Sequence, residues 1–326
     1  DFWAFKDLLD RGEKSAYRDW FQDIRFGSRS PKGDPFTYEG WHGHYSLVKL
    51  NLSNPAVREH LFTAVRMWVN DFKIDGLRLD AADCIDLDFL RDLRRSTQEW
   101  RDDFWLMGEV VHGDYRTWVN PETLHAVTNY ECYKGLYSSL LEGNYFEIAY
   151  ALNRQFGEEG IYRETGLYNF VDNHDVDRVA SKLGETGLLY PLYLLLFTMP
   201  GVPSVYYGSE WGLRGEKDKH SDADLRPALN ISDLVQAPPE QGLVPVIRKL
   251  AALRKGRAAL RVGGYQPLSV SHRQMAFLRQ FHEERLLVVL NSAHETVEMD
   301  LALPWETGTT VDLLDSGYRM PIVRGK

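Results

Sequence analysis

Residues 73–83, with the sequence KIDGLRLDAAD, combine the apolar pattern of a buried strand with two charged side chains. Arg78 and Asp80 stand near the carboxyl end of this predicted strand. Because residues two apart on a strand point to the same face, we expect both side chains to project in one direction. Parallel β/α barrels carry their catalytic residues at the carboxyl ends of the strands. A structural ion pair is the alternative that this strand alone leaves open.

Predicted helices and strands alternate along residues 54–207, with short connections between them. Asn54 is a suitable helix N-cap and is followed by a proline at the first helical position. The predicted strands are IDGLRLD (74–80), FWLMGEV (104–110), AVTNYE (126–131), LYNFVDNHD (167–175) and VPSVYY (202–207), and the predicted helices lie at 54–72, 86–100, 145–156 and after Asp177. This alternation is typical of an α/β fold with a parallel sheet or barrel.

The two ends of the chain have a different texture. Residues 1–53 are rich in glycine, aromatic and charged residues without a sustained period, which predicts a large loop subdomain. After about Gly263 the period becomes two, which predicts an antiparallel β domain over 264–326. In that domain we expect a hairpin within 275–293 and further strands at 296–303 and 310–316. The predicted organisation is therefore 1–53, 54–263 and 264–326.

Charge and cysteine content exclude several classes of protein. The 326-residue chain has a formal net charge of −9 and no long basic run, so we do not expect a nucleic-acid partner. Its two cysteines, Cys84 and Cys132, cannot form a disulfide framework in a chain of this size and lack the paired spacing of a zinc site. We interpret both as small packed hydrophobic residues.

Residues 188–207 are uncharged over a length that could cross a bilayer. The segment contains three prolines and a glycine, at Pro191, Pro200, Gly201 and Pro203. These residues divide it into a short apolar helix, a tight turn and a strand, as in a helix that leads into a buried parallel strand. We therefore expect no membrane span. The sequence does not indicate the compartment in which the protein works.

Two further predicted strands also end in carboxylates. WLMGEV ends with Glu109, and FVDNHD ends with His174 and Asp175. Each residue alone could be a helix cap or a buried polar group, but three strands that end this way form a constellation. Glycosidic cleavage needs one carboxylate to attack the anomeric carbon and a second to protonate the leaving oxygen. Arg78 favours the ionised form of Asp80, and Glu109 has no adjacent cation, so the pattern favours Asp80 as nucleophile and Glu109 as acid and then base.

Four motifs together resemble the characteristic regions of the α-amylase family, glycoside hydrolase family 13, and the resemblance covers nearly the whole chain. They are DGLRLDAAD (75–83), GEVVH (108–112), FVDNHD (170–175) and GVPSVYYGSEWGLRG (201–215). A further stretch, LVKLN at 47–51, is similar to the short region of the neopullulanase and cyclomaltodextrinase branch, although Val48 replaces the proline expected there.

The resemblance implies a (β/α)8 TIM barrel followed by a C-terminal antiparallel β domain. In the family, the large loop subdomain follows barrel strand 3. Residues 1–53 correspond to that subdomain, so the five predicted strands correspond to strands 4 to 8 and the barrel is incomplete. Because a barrel of this type closes only with its full set of strands, we expect a preceding segment to carry strands 1 to 3. Residues 1–326 expressed alone are expected to be inactive and poorly soluble.

The resemblance also implies roles for the residues of the motifs. Asp80 corresponds to the nucleophile, Glu109 to the acid/base, and Asp175 to the third carboxylate, which contacts sugar hydroxyls and supports the distorted transition state. Arg78 and His174 correspond to partners of these groups at the cleaved sugar.

Three other residues are weaker candidates. His112 follows the acid in GEVVH and is expected to line the leaving-group side. Trp41 in YEGWHGHY is either a sugar-stacking aromatic or a packing residue of the loop subdomain. Arg226 in DLRPALN resembles a family position, and we interpret it as a member of a structural salt bridge.

The function implied is retaining cleavage of α-1,4-glucosidic bonds in maltooligosaccharides or dextrins. An α-glucan transglycosylase and a catalytically inactive carbohydrate-binding relative are the alternatives. A nucleotide-binding sheet is disfavoured because no predicted strand precedes a glycine-rich phosphate loop. The chemistry requires no cofactor and no catalytic metal. A structural calcium ion, usual in many relatives, stays open, and so does the oligomeric state.

Overall fold

The computed structural model of the protein describes residues 2–219, 221–315 and 318–323. The chain divides into two compact units. The first consists of Asp1–Met107 with Asn120–Leu124, and the second of Gly108–Val119 with His125–Lys326.

The first unit begins with a small subdomain that is more regular than its sequence suggests. Helix α1 (Trp3–Arg11) is followed by two antiparallel pairs, β1 (Arg25–Phe26) with β2 (Phe36–Thr37) and β3 (Gly40–Trp41) with β4 (His44–Val48). Ala4 and Leu8 lie four residues apart on α1, so they share a face, and both are fully buried against Phe21, Phe36 and Tyr38. The expectation of an irregular segment was thus wrong for residues 3–11. The i, i+4 spacing of two apolar residues in this segment was the sequence pattern that indicated a helix.

The rest of the first unit contains two strands and two helices in alternation. They are α2 (Pro55–Met67), β5 (Gly76–Leu79), α3 (Leu87–Trp100) and β6 (Trp105–Gly108), the last residue of which belongs to the second unit. Asn54 caps α2 as predicted, because its side chain accepts a hydrogen bond from the Ala56 backbone N–H at 2.8 Å. The two helices pack through the rings of Phe62 and Phe89, whose centroids are 5.3 Å apart.

The second unit contains three adjacent parallel strands and the helices between them. The strands are β7 (Ala126–Thr128), β8 (Leu167–Asn169) and β9 (Val202–Pro203), with Val127 opposite Leu167 and Tyr168 opposite Val202. The helices are α4 (Tyr130–Leu141), α5 (Phe146–Phe156), α6 (Val179–Leu183) and α7 (Leu189–Thr198). Each of the five segments predicted to be parallel strands therefore contains an observed strand. In each case the observed strand is shorter than the predicted one.

Helix α4 was not predicted, because its first residues were assigned to the preceding strand. Gly135 and two serines lower its intrinsic helix propensity. The helix is stabilised instead by burial of residues such as Leu136 and Leu140. At its start, the Asn129 side chain accepts a hydrogen bond from the Cys132 backbone N–H.

Buried amide side chains connect the ends of β7 and β8. Asn129 donates to Gln155 Oε1 at 2.9 Å and to Asn169 Oδ1 at 2.8 Å, and Asn169 donates to the Pro200 carbonyl at 2.7 Å. These amides are almost fully buried. Because their donors find acceptors, the polar groups are accommodated in the core and fix the register of the strand ends.

Residues 188–207 form the predicted helix, turn and strand. Gly201 has a φ of 97°, and a Cβ atom at this position would lie 2.7 Å from the Leu167 carbonyl oxygen. Glycine is therefore required where α7 turns into β9. Among the described residues, no helix combines the length and the apolar character needed to cross a membrane.

The second unit ends with three helices and two small sheets. The helices are α8 (Ile231–Gln236), α9 (Leu243–Gly256) and α10 (Ala258–Val262), and the strands are β10 (Gly264–Val270), β11 (Gln274–Phe281), β12 (Glu284–Asn291), β13 (Thr307–Val311) and β14 (Arg319–Val323). The predicted hairpin is formed by β11 and β12, with Phe281 opposite Glu284.

The strand predicted at 296–303 is not formed. Apolar and polar residues do alternate in this segment, but among the described residues no neighbouring strand forms backbone hydrogen bonds with it. The strand predicted at 310–316 is displaced toward its amino end, where β13 ends at Val311, and residue 316 lies outside the described residues.

Candidate active site

In the first unit, Asp80 directly follows β5 and forms an ion pair with Arg78, as the spacing of two residues predicts. The carboxylate is far from buried, since 83% of the Asp80 side chain is exposed, whereas the Arg78 side chain is 31% exposed. The arginine therefore pairs with a carboxylate that stays accessible to solvent. An accessible carboxylate is suited to attack on a substrate carbon.

The backbone turns sharply immediately after Asp80. Ala81 has a φ of 43°, in the left-handed region that non-glycine residues rarely adopt. A short 3-10 turn, Ala82–Cys84, follows. Such a conformation costs on the order of 1–3 kcal/mol and is found preferentially at functional sites, because the surrounding structure must enforce it.

Trp41 lies at the edge of a cleft in the same unit. The cleft has a volume of about 570 Å³, and its lining includes Tyr38, Tyr45 and the ion-paired side chains of Glu39 and Lys49. Trp41 is 37% exposed. The ring of His44 stacks on Trp41, with centroids 5.7 Å apart. A partly exposed indole beside hydrogen-bonding side chains matches the chemistry of a sugar subsite.

A thiol and an imidazole meet at the wall of this cleft. Cys84 Sγ lies 3.4 Å from Nε2 of His42, and both residues line the cleft. Burial raises the pKa of the Cys84 thiol. The thiol is therefore predominantly protonated at neutral pH, which fits a packing role better than a nucleophilic one.

In the second unit, Glu109 directly follows β6 and is half-buried. The hydroxyl of Tyr130 donates a hydrogen bond to Glu109 Oε1 at 3.4 Å and accepts one from Asn173 Nδ2 at 3.3 Å. Burial raises the pKa of Tyr130, and the charges of Glu109 and Asp175 add to this effect. The phenol thus stays protonated and available as a donor to the carboxylate.

His174 and Asp175 follow β8 and interact with each other. His174 Nε2 lies 3.1 Å from Asp175 Oδ2, and Arg226 Nη2 lies 3.4 Å from Asp175 Oδ1. Arg226 also pairs with Asp222 at 2.8 Å. Each Asp175 oxygen therefore has a nitrogen partner, and the carboxylate is about one third exposed.

Arg226 thus forms salt bridges, as expected, and one of them is to the candidate residue Asp175. The sequence showed only that it stood in a motif, because 51 residues separate it from Asp175. Tyr130 was also missed, since it was assigned to a strand. His112 is exposed, three residues beyond Glu109, and within the described residues it has no hydrogen bond or ion pair.

Among the described residues there is no group of three or more histidine, cysteine, aspartate and glutamate side chains arranged to bind a metal ion. A structural calcium ion stays a prediction.

Two family matches cover most of the chain. Residues 1–240 match the family described as alpha amylase, catalytic domain, and residues 265–326 match the family described as maltogenic amylase, C-terminal domain.

Individual proteins of known sequence are similar over nearly the whole chain. A cyclomaltodextrinase from Bacillus sp is 29% identical over 89% of this chain and 51% of its own length. A neopullulanase 2 from Thermoactinomyces vulgaris is 30% identical over 95% of this chain and 52% of its own length. The chain thus spans about half the length of the curated relatives it matches.

Solved structures agree with these matches. A structure described as cyclomaltodextrinase has a TM-score of 0.79 and 28% identity, and it matches over 98% of this chain and 56% of its own length. A cyclic α-maltosyl-(1→6)-maltose hydrolase from Arthrobacter globiformis has a TM-score of 0.77 and 25% identity, over 99% of this chain and 70% of its own. Because the catalytic-domain match alone covers well over half of the sequence, the chain belongs to the α-amylase family, glycoside hydrolase family 13, whose members combine a TIM-barrel catalytic domain with a C-terminal sheet domain.

Proposed function

We propose that this chain carries the catalytic groups of a retaining glycosidase that cleaves α-1,4-glucosidic bonds in maltooligosaccharides and dextrins. The observation that carries the proposal is the placement of one carboxylate after each of three strands, namely Asp80 after β5, Glu109 after β6 and Asp175 after β8, in a chain of this family. Retaining glycosidases require two such groups, and a third can bind the sugar.

In the first step, Asp80 attacks the anomeric carbon while Glu109 protonates the departing glycosidic oxygen. The carbon–oxygen bond to the leaving sugar breaks as the ester bond to Asp80 forms. In the second step, the ionised Glu109 removes a proton from water, and the water oxygen displaces Asp80 from the anomeric carbon. The two displacements together retain the configuration. Arg78 supports this role of Asp80 by pairing with its carboxylate.

Asp175 and His174 are proposed to hold hydroxyl groups of the cleaved sugar. Both lie together in the segment after β8, where Arg226 forms an ion pair with Asp175. A carboxylate with fixed partners accepts hydroxyl hydrogen bonds without reorganising, which favours a distorted sugar over a relaxed one. His112, which is exposed, is proposed to line the leaving-group side, and Trp41 is proposed to stack on a sugar unit.

The substrate class is proposed from the relatives and from the chemistry of the first-unit cleft. The relatives named above include a cyclomaltodextrinase and a neopullulanase. Hydrolysis of linear or cyclic α-glucan oligosaccharides fits these names, and an aromatic face beside charged side chains fits a glucose unit.

We also propose that this chain supplies strands 4 to 8 of the barrel. In the first unit, Leu77 and Leu79 of β5 are only half-buried. Barrel interiors are packed by branched apolar residues, so this exposure favours further barrel segments that cover them. Residues 1–326 expressed alone should associate and hydrolyse maltotriose poorly. A cooperatively melting monomer with ordinary glycosidase rates would contradict this assignment.

The experiment that tests the proposed function uses the complete polypeptide that contains residues 1–326. Products from maltotriose, pullulan and cyclodextrin are separated by chromatography, with and without a high concentration of an acceptor sugar. Hydrolysis products that dominate at all acceptor concentrations support the proposal. Longer oligosaccharides as the main products would instead assign transglycosylation, and binding without turnover would assign a catalytically inactive relative.

A further inference from the structure

Arg178 is a fully buried cation that lies three residues beyond Asp175. Its Nη1 donates hydrogen bonds to Ser209 Oγ at 3.0 Å and to the Tyr207 carbonyl at 2.5 Å, and its Nη2 donates to the Leu225 carbonyl at 2.8 Å. The single guanidinium therefore joins the segment after β8 to two other segments of the second unit.

The same guanidinium lies against the aromatic pair that follows β9. Its central carbon is 4.2 Å from the ring centroid of Tyr206 and 5.1 Å from that of Tyr207. The Tyr206 ring is in turn 6.5 Å from the ring of His174. A buried cation over an aromatic face is attracted to it, so Arg178 also fixes the ring that contacts His174.

The charge of Arg178 is compensated only indirectly. Within the described part of the chain it has no ion pair, and its Nε atom has no hydrogen-bond partner. Ser209 Oγ accepts from Arg178 and donates to Asp172 Oδ2 at 2.7 Å, so one hydroxyl bridges the buried cation and a buried carboxylate. Burying a cation in this way is costly. An apolar side chain of the same size would avoid the cost, which points to a role other than stability.

The contact to Leu225 suggests that role, because Arg226 is the next residue. Arg226 pairs with Asp175 at 3.4 Å and with Asp222 at 2.8 Å. We infer that Arg178 is a positioning residue that holds Arg226 against Asp175 through the Leu225 carbonyl, and so sets the orientation of the Asp175 carboxylate. The kinetic part of this inference rests on the proposed function, whereas the structural part does not.

The test compares Arg178→Lys with Arg254→Lys in the complete polypeptide. Arg254 is a matched control, since it is also nearly buried and donates to the carbonyls of Phe197, Met199 and Gly201, away from the candidate site. A lysine cannot reproduce the planar fork of donors in either place. Both variants should therefore lower Tm. Only Arg178→Lys should separate Arg226 from Asp175 in a crystal structure, and only it should lower kcat for maltotriose by tenfold or more.

A double-mutant cycle distinguishes positioning from general destabilisation. If Arg178 acts through Arg226, then Arg178→Lys should change kcat/KM less than twofold in a chain that already carries Arg226→Ala. Should Arg178→Lys not fold, Ser209→Ala removes one of the three acceptors and should show a smaller loss with the same dependence on Arg226. If the two substitutions lower kcat/KM independently, so that their fold losses multiply in the double variant, the inference is overturned. An unchanged Arg226–Asp175 contact in the crystal structure of Arg178→Lys would also overturn it. If the parent protein has no activity, the proposed function fails, and the variant crystal structures still decide the inference.

Discussion

The hydroxyl of Tyr130 lies 3.4 Å from Oε1 of Glu109, and it also accepts a hydrogen bond from Asn173. One phenol thus connects the carboxylate after β6 with the loop after β8, within the second unit. In the proposed mechanism Glu109 must change its protonation state in each half-reaction. A hydrogen-bond donor to Glu109 Oε1 therefore affects the step in which Glu109 acts as base.

Replacement of Tyr130 by phenylalanine tests this relationship. The phenol donates a hydrogen bond to Glu109 Oε1, so its loss should slow the second step, in which Glu109 removes a proton from water. We expect kcat to fall roughly fivefold, as for the loss of one hydrogen bond of about 1 kcal/mol. Tyr137→Phe, on the same helix, is the control. A kcat in Tyr130→Phe equal to that of the parent and of Tyr137→Phe would contradict the assignment.

Asp80→Asn should abolish turnover while it leaves the fold intact. The amide cannot form the glycosyl ester at a useful rate, and the loss should be at least about a hundredfold, or about 3 kcal/mol in the barrier. Because 83% of the Asp80 side chain is exposed, Tm should change little. Asp75→Asn neutralises a nearby carboxylate that is paired with Arg101, and it should retain activity. An Asp80→Asn variant that keeps more than about a hundredth of the parent rate would refute the assignment of Asp80 as the nucleophile.

Glu109→Gln should lose activity selectively, according to the leaving group. Natural glucans need protonation of the departing oxygen and should react at least about a hundredfold more slowly. Maltosyl fluoride has a leaving group that needs no acid, so the first step should be nearly preserved. Rates on both substrates are measured beside Glu122→Gln, which alters an exposed glutamate. Equal losses on both substrates would argue against a role in acid catalysis.

Asp172→Asn should flatten the pH dependence of stability. Burial raises the pKa of Asp172 to about 6, above its ordinary value of 3.8. Between about pH 4 and 6 the folded state therefore binds more protons at this group than the unfolded state, and its contribution to stability falls as pH rises. The total change across this window is about 3 kcal/mol. The free energy of unfolding of parent and variant is measured with urea at pH 4.5 and 7.5. If it changes by the same amount between the two pH values in both proteins, the expectation is contradicted.

The sequence predicted most of the local structure that places the candidate carboxylates. Strand-end residues such as Asp80 and Glu109 could be found because a charged residue after an apolar run is visible locally. The cap at Asn54 and the turn at Gly201 were recognisable for the same reason. Local signals of this kind depend on a few neighbouring residues.

The features that were missed depend on tertiary contacts. Helix α4 forms despite Gly135 because its buried face is packed, and burial cannot be read from propensity. The partner of Arg226 in its ion pair, Asp175, and the hydrogen bond from Arg178 to the Leu225 carbonyl connect segments that are distant in sequence. The strand predicted at 296–303 had the right alternation but no partner within the described residues. In each case, the structure depends on contacts with residues that are distant in sequence.

Trapping the covalent intermediate tests the central claim most directly. In Glu109→Gln, maltosyl fluoride can react with the nucleophile, but the variant lacks the base for the second step, so the glycosyl-enzyme should accumulate. Proteolysis and mass spectrometry then locate the sugar, with Asp80→Asn in the same background as the control. The account predicts a maltosyl ester on Asp80 that is absent from the control. A sugar attached to another residue, or an inverted product released without any labelled protein, would contradict it.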